Sequence, residues 1–248
     1  MCRLLGIVSR RAIDPEVLFE FRQLAERGKT PKDYGCEQLS TRSGHPDGWG
    51  IACLAGDGEV YRRSPAKATE DAKYEDAVRE VSGLGSPPYV LMAHLRRAAR
   101  TETIKEEYCQ PFRRELRGRV EFFGHNGNVE GFGVRDGKID SQAYFERLLD
   151  AIGRQSETGL DVKRTLGEVK TAFAAQFPKK VTSLTCLLSN GRELFAHRDA
   201  RQCKPYYSLH ESRADGVLIV CSEVLSSVGG RWRLLKNDET VTFSVNDL

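Results

Sequence analysis

The 248-residue chain has no apolar run of the about eighteen residues needed to cross bilayer hydrocarbon. Its first residues lack the basic-then-apolar pattern of a secretory signal. A dominant charge sign is missing too: 38 Lys and Arg stand against 35 Asp and Glu, a net +3. That is too mild to imply a nucleic-acid partner. Seven cysteines are present without a C-x-x-C pair, so a zinc ribbon or thioredoxin-like site has no basis. The five histidines fall at no metal-ligand spacing, and no metal or cofactor is expected. There is no internal repeat and no low-complexity segment. These absences predict a protein made and kept in the cytosol, with neither membrane nor nucleic acid as partner. The odd, widely spaced cysteines predict free thiols in a reducing compartment.

Hydrophobic residues make up 40% of the chain, enough for a sizeable core. A single domain over residues 2–248 is expected, with the polar stretch 153–161 the one candidate seam. Apolar runs rich in β-branched and aromatic residues recur at 3–9, 49–54, 88–94, 119–124, 182–188, 192–197, 215–221 and 240–244. Helical periodicity appears at 14–28, where Asp14 reads as N-cap and Pro15 opens the first turn. It returns near 69–82, in "DSQAYFERLLDAIGRQ", and near 160–176. Strands outnumber helices and several follow one another closely. That favours an α+β protein with antiparallel sheets and helices packed outside.

Five stretches could carry chemistry. In "MCRLLGIVS", Cys2 heads a buried strand. Removal of Met1 would give one residue both a thiol and an α-amine. A free α-amine titrates near pH 8, low enough to accept the thiol proton at neutral pH. In "FFGHNGNVEGF", Asn126-Gly127 reads as a hairpin turn. That is the stronger reading of the pair alone, and it does not exclude a pair of donors, side-chain amide and backbone N–H, aimed at an oxyanion. In "VLMAHLRRAAR", strand alternation sends Arg96 and Arg97 to opposite sides, one toward a carboxylate and the other toward water. "HPDGWG" is a tight turn entering a strand, with Trp49 either walling a pocket or sitting in the core. Asp140 reads as an N-cap, or as a carboxylate for a substrate ammonium. His94 and His125 flank these motifs and read as packed, hydrogen-bonded residues. "RRELRGR" at 113–119 reads as a solvated hairpin face.

Taken in order, "CRLLGI", "DGWG" at 47–50, "AHLR" at 93–96, "GHNGN" at 124–128 and "DS" at 140–141 resemble a class II glutamine amidotransferase domain of the N-terminal nucleophile hydrolase superfamily, in its short stand-alone form. The resemblance is strongest over residues 2–150 and looser through "FAHRDAR" and "VLIVCSEVL". It implies a four-layer αββα sandwich with two antiparallel sheets. It implies that Cys2 attacks the glutamine side-chain amide with its own α-amine as base, through a γ-glutamyl thioester. Asn126 and Gly127 would form the oxyanion hole. Arg96 would hold the substrate α-carboxylate and Asp140 its α-ammonium, with His94 and Trp49 also at the substrate. Ammonia would pass to an acceptor or a separate partner protein. Alternatives are a γ-glutamyl amide hydrolase acting on a small conjugate, and a silent binding module if Met1 is retained. Ala98-Ala99 departs from the family pattern, which places a hydroxyl there. Gln142 stands where glutamate is common, a change expected to matter little.

Overall fold

The run behind Cys2 forms strand β1 (Arg3–Ser9), buried along its whole length. In this computed structural model, which describes residues 2–39, 42–155, 161–214 and 216–247, β1 lies inside a seven-stranded sheet. Its neighbours are β4 (Tyr89–Leu95) and β10 (Val217–Cys221), both antiparallel, with Leu5 opposite Ala93 and Cys221. Next to β4 come β2 (Trp49–Ala55) and β3 (Gly58–Ser64). On the far side of β10 lie β9 (His210–Ala214) and the two-residue β11 (Arg233–Leu234).

The second sheet has five antiparallel strands: β12 (Glu239–Ser244), β8 (Glu193–Arg198), β7 (Thr185–Ser189), β6 (Arg119–Asn126) and β5 (Phe112–Leu116), in that order. Leu4, Val8, Val90, Met92, Phe122, Leu187, Leu194 and Phe243 fill the space between the sheets. Helices α1 (Pro15–Arg27) and α2 (Ala72–Ser82) cover the outer face of the first sheet through Phe21, Leu24, Tyr74 and Val78. Helices α3 (Asp140–Gly153) and α4 (Val162–Ala175) cover the second through Tyr144, Leu148, Leu166 and Phe173. The result is the expected sandwich: helices, sheet, sheet, helices.

Local signals explain much of this. The Asp14 carboxylate accepts from the Glu16 N–H, and Pro15 sits where a missing N–H costs nothing. Arg117 and Gly118, both left-handed, turn β5 into β6, and Arg113 pairs with Glu59 on the exposed side. Strands β3, β9 and β11 went unrecognised because "GEVYRRS" and the polar "HESRA" carry little apolar alternation, whereas β5 is the first arm of the hairpin read at 113–119. The seam at 153–161 falls partly outside the described residues, which omit 156–160. Ile152 and Val162 on either side of it share one apolar cluster.

Three expectations need correction. Asp140 is not the cap of α3: Ile139 occupies that place and Asp140 is the first helical residue. Asn126-Gly127 is not a hairpin turn, because Asn126 ends β6 opposite Thr185 and the chain runs on toward α3. The cysteines are not all free. Cys36 and Cys203 form a disulfide with Cα atoms 6.0 Å apart across 167 residues of sequence, a pairing no spacing could reveal. It ties the loop after α1 to the loop after β8, beside Tyr206 and Tyr207. The remaining five cysteines are buried.

Candidate active site

Three strands deliver chemistry to one end of the sandwich. β1 begins there, and β4 and β6 end there. Cys2, Arg96 and Asn126 therefore converge from 3 places in the sequence with no loop needed to carry them. A cavity of about 230 Å³ opens at this point, walled by Cys2, Arg96, Gly127, Asn128, Thr103 and Asp140.

The Cys2 backbone nitrogen donates to Asn126 Oδ1 at 2.7 Å. This contact turns the Asn126 amide so that its Nδ2 is buried without a partner. Gly127 follows. A side chain there would bring Cβ to 1.9 Å from the Ser183 carbonyl oxygen and 2.5 Å from His125 Nε2, so only glycine fits. The Cys2 thiol is buried, which alone would push its pKa up. The positive chain terminus and His94 outweigh burial and hold it well below the usual thiol value. Met1 itself lies outside the described residues.

Arg96 is 4% exposed. Its Nη2 donates to Thr103 Oγ1 at 3.1 Å, while Nη1 has no partner. A buried guanidinium hydrogen left idle is costly unless something binds there. Arg97 does not face water as expected. It too is buried and donates to the carbonyls of Gly44 and Arg42, because β4 stops at Leu95 and alternation no longer governs the turn. Asp140 accepts from the Val129 N–H at 2.7 Å through Oδ2 and from the Ser141 N–H at 2.8 Å through Oδ1. Its carboxylate is thereby fixed at the pocket wall.

His125 matches the expectation of a packed, hydrogen-bonded ring: Nδ1 meets Ser141 Oγ at 2.9 Å and Nε2 the Ser183 carbonyl at 3.1 Å. Burial holds its pKa below the usual histidine value. His94 is equally buried, yet neither of its ring nitrogens has a hydrogen-bond partner. It is not among the residues walling the cavity, and neither is Trp49. The Trp49 indole packs on Tyr74 with its N–H on Asp71, on the helix side of the sheet. Its place is the core.

A family model described as class-II glutamine amidotransferases matches residues 1–215. The chain belongs to that family. Among curated proteins it is similar to "Putative glutamine amidotransferase YafJ" of Escherichia coli, with 26% identity over 209 residues covering 79% of this chain and 72% of the relative. A like-named Haemophilus influenzae protein is 25% identical over 236 residues, covering 88% and 71%. Among solved structures, a predicted glutamine amidotransferase of Pseudomonas aeruginosa superimposes with a TM-score of 0.52 at 18% identity, covering 98% of this chain and 96% of that one. The glutamine phosphoribosylpyrophosphate amidotransferase of Bacillus subtilis gives 0.66 at 16%. This chain spans 48% of that enzyme's length. These structural likenesses are likenesses of fold.

Several residues that build the candidate site escaped the sequence reading. Asp47 braces the Arg96 turn: its Oδ2 accepts from the Ala98 N–H at 2.9 Å and its N–H donates to the Arg96 carbonyl. Gly48 beside it has φ +128° and lies against the Cys109 sulfur, where a side chain would collide. The "DGWG" signal pointed to this turn, and its aspartate rather than its tryptophan is the part that reaches the site. Thr103 sits in "TET", which has no pattern to betray it. Arg3 was visible as a charge inside an apolar run. It is 1% exposed, donates to Glu223 at 2.6 Å and to the Cys2 carbonyl at 3.0 Å, and lies 4.5 Å from the Tyr206 ring centre. It fixes the residue behind the thiol.

Proposed function

We propose that the protein hydrolyses the side-chain amide of glutamine to glutamate and ammonia, through a γ-glutamyl thioester on Cys2. One observation supports this above the rest: two buried donors stand without partners beside Cys2, Arg96 Nη1 on a residue that walls the Cys2 cavity and Asn126 Nδ2 on the residue that holds the Cys2 nitrogen and precedes Gly127 of that wall. One suits an oxyanion and the other a carboxylate. With Met1 removed, the Cys2 nitrogen is an amine already oriented by Asn126 Oδ1. Its lone pair is available to take the thiol proton, directly or through one water. The sulfur attacks the amide carbon, the oxyanion forms against Asn126 Nδ2 and the Gly127 N–H, and ammonia leaves with that proton. Water then releases glutamate. Arg96 and Asp140 grip the two charges of the amino-acid head. Thr103 supplies a hydroxyl to the wall that Ala98 and Ala99 cannot. Ammonia would pass to an acceptor or to a separate partner protein.

A second reading has a small γ-glutamyl conjugate as substrate. It is favoured by a neighbouring cavity of about 430 Å³ that shares Arg97, Ala98, Ala99, Asn128 and Glu130 with the first and is otherwise lined by Gln38, Leu39, Arg42, Thr182 and Gln202. The experiment is to supply purified protein, its Met1 status fixed by intact mass, with glutamine and with γ-glutamyl amides of small amines, and to measure glutamate. Turnover of glutamine that disappears in Cys2→Ala, with an unchanged melting curve, is the expected result. Turnover that survives Cys2→Ala would end the mechanism. Turnover of conjugates alone would select the second reading, and no turnover of either would leave the silent module.

A further inference from the structure

The end of β6 needs a neighbour that β5 does not supply. The two strands pair only from Phe112, opposite Phe123. Continued toward the site, that register sets Gln110 opposite His125. The backbone does not follow it. The Tyr61 hydroxyl of β3 donates to the Pro111 carbonyl at 3.0 Å, and Arg63 Nη1 donates to the Cys109 carbonyl at 2.9 Å. The Gln110 carbonyl oxygen lies against Gly50 of β2, where a Cβ would come within 2.3 Å of it. Residues 109–111 are thus drawn onto the first sheet. The Gln110 side chain crosses to the second, where its Oε1 accepts from the His125 N–H at 2.6 Å. Both residues are buried.

His125 directly precedes Asn126 and Gly127. Its ring is tied to Ser141 Oγ and to the Ser183 carbonyl, and β7 holds one side of its backbone, with Cys186 across from it. The bond from Gln110 closes the side that β5 leaves open.

We propose that Gln110 is a positioning residue for the oxyanion donors, its side-chain oxygen fixing the end of β6 so that Asn126 Nδ2 and the Gly127 N–H meet at one place. The proposal rests on the reaction put forward above. An oxyanion donor acts within about 2.7–3.1 Å of the developing charge, so a small displacement of β6 removes its benefit. A buried N–H without an acceptor drives such a displacement, because the strand end moves to find another partner. Arg96 and Asp140 sit on other segments and keep their own bonds to Thr103, Val129 and Ser141. Loss of the Gln110 acceptor should therefore lower the rate at saturation and leave the half-saturating concentration nearly as it was.

The test uses 6-diazo-5-oxo-L-norleucine, a glutamine-shaped diazoketone whose carbonyl falls where the amide carbonyl would. Iodoacetamide, which alkylates a thiol without an oxyanion, is the control. Capture of Cys2 is located by peptide mass. Gln110→Met keeps the size of the side chain and removes the acceptor. Its capture by the diazoketone at saturation should slow by about ten- to hundredfold, with the iodoacetamide rate unchanged. Gln110→Glu restores an acceptor and should recover most of that loss. Its half-saturating concentration should rise, because the added charge joins the wall of a cavity that takes an anionic head. Equal slowing with both reagents, or no recovery in Gln110→Glu, would reduce Gln110 to a structural residue and overturn the proposal. Should Gln110→Met fail to fold, Gln110→Asn, whose oxygen stops one methylene short, is read in the same way. The expected pattern of capture without turnover of glutamine or conjugates would sink the reaction and leave the positioning role standing. Wild-type kcat in Gln110→Met would do the reverse. A diazoketone that never labels Cys2 in the unaltered protein would overturn both.

Discussion

The layer between the two sheets has two unlike ends. At one, Val8, Val90, Leu194, Leu218 and Phe243 close the space with apolar side chains. Gly6 of β1 makes room there, since a Cβ would lie 2.5 Å from a Leu194 methyl carbon. At the other end the same layer holds Cys2, His94 and Asn126, with donors and ring nitrogens left unpaired. The strands are continuous from one end to the other. The difference teaches that the sheets were built as a rigid core, and that the polar end draws on that rigidity to hold groups in positions they would not choose alone.

Substitutions at the two ends should therefore fail in different ways. Asn126→Ala removes the proposed oxyanion donor and the anchor of the Cys2 nitrogen. A fall in kcat of about 10²–10³-fold is expected, by glutamate release, with little change in KM. A loss confined to KM would place Asn126 outside the transition state and blur the contrast. Leu194→Ala, at the sealed end, should cost about 2–5 kcal/mol of stability by denaturant unfolding and leave KM unchanged. A kinetic defect in that variant would show the ends to be coupled.

Glu121 sharpens the comparison by a smaller effect. It is buried on β6, and burial raises its pKa to about 7. It belongs to neither end. The folded state keeps this proton over a pH range in which the unfolded chain has lost it. Stability present below about pH 4 is thus lost as pH rises through 7. Glu121→Gln removes that loss. It should raise stability by about 1–3 kcal/mol at pH 8, change little at pH 4, and leave turnover alone. An equal effect at both pH values would show that the carboxyl proton is not responsible.

The sandwich was legible because buried strands are written in apolar runs and helix starts in Asp14-Pro15. Edge strands such as β3 were not, since half their side chains face water. Cys2, Arg96 and Asn126, which the strands bring to one end of the sandwich, were singled out through the resemblance of ordered motifs, and physics alone left Asn126-Gly127 looking like a turn. Asp47 and Thr103 act through backbone and side-chain contacts to Arg96 and its turn, and such second contacts have no spacing to read. Trp49 misled because an aromatic beside a glycine-rich turn suits a pocket wall and a core equally. The Cys36–Cys203 bond joins loops that only the folded sheets bring together.

The position of β1 bears on how the molecule comes into being. It precedes the other described strands in sequence, yet it lies between β4 and β10, and Leu5 finds one of its two partners only at Cys221. A nascent chain can pair β1 with β4 early but must leave the other edge of β1 open until β10 has emerged. Contacts so distant in sequence close slowly. The strand behind the thiol is thus made before both of its neighbours and enclosed only when the later one arrives.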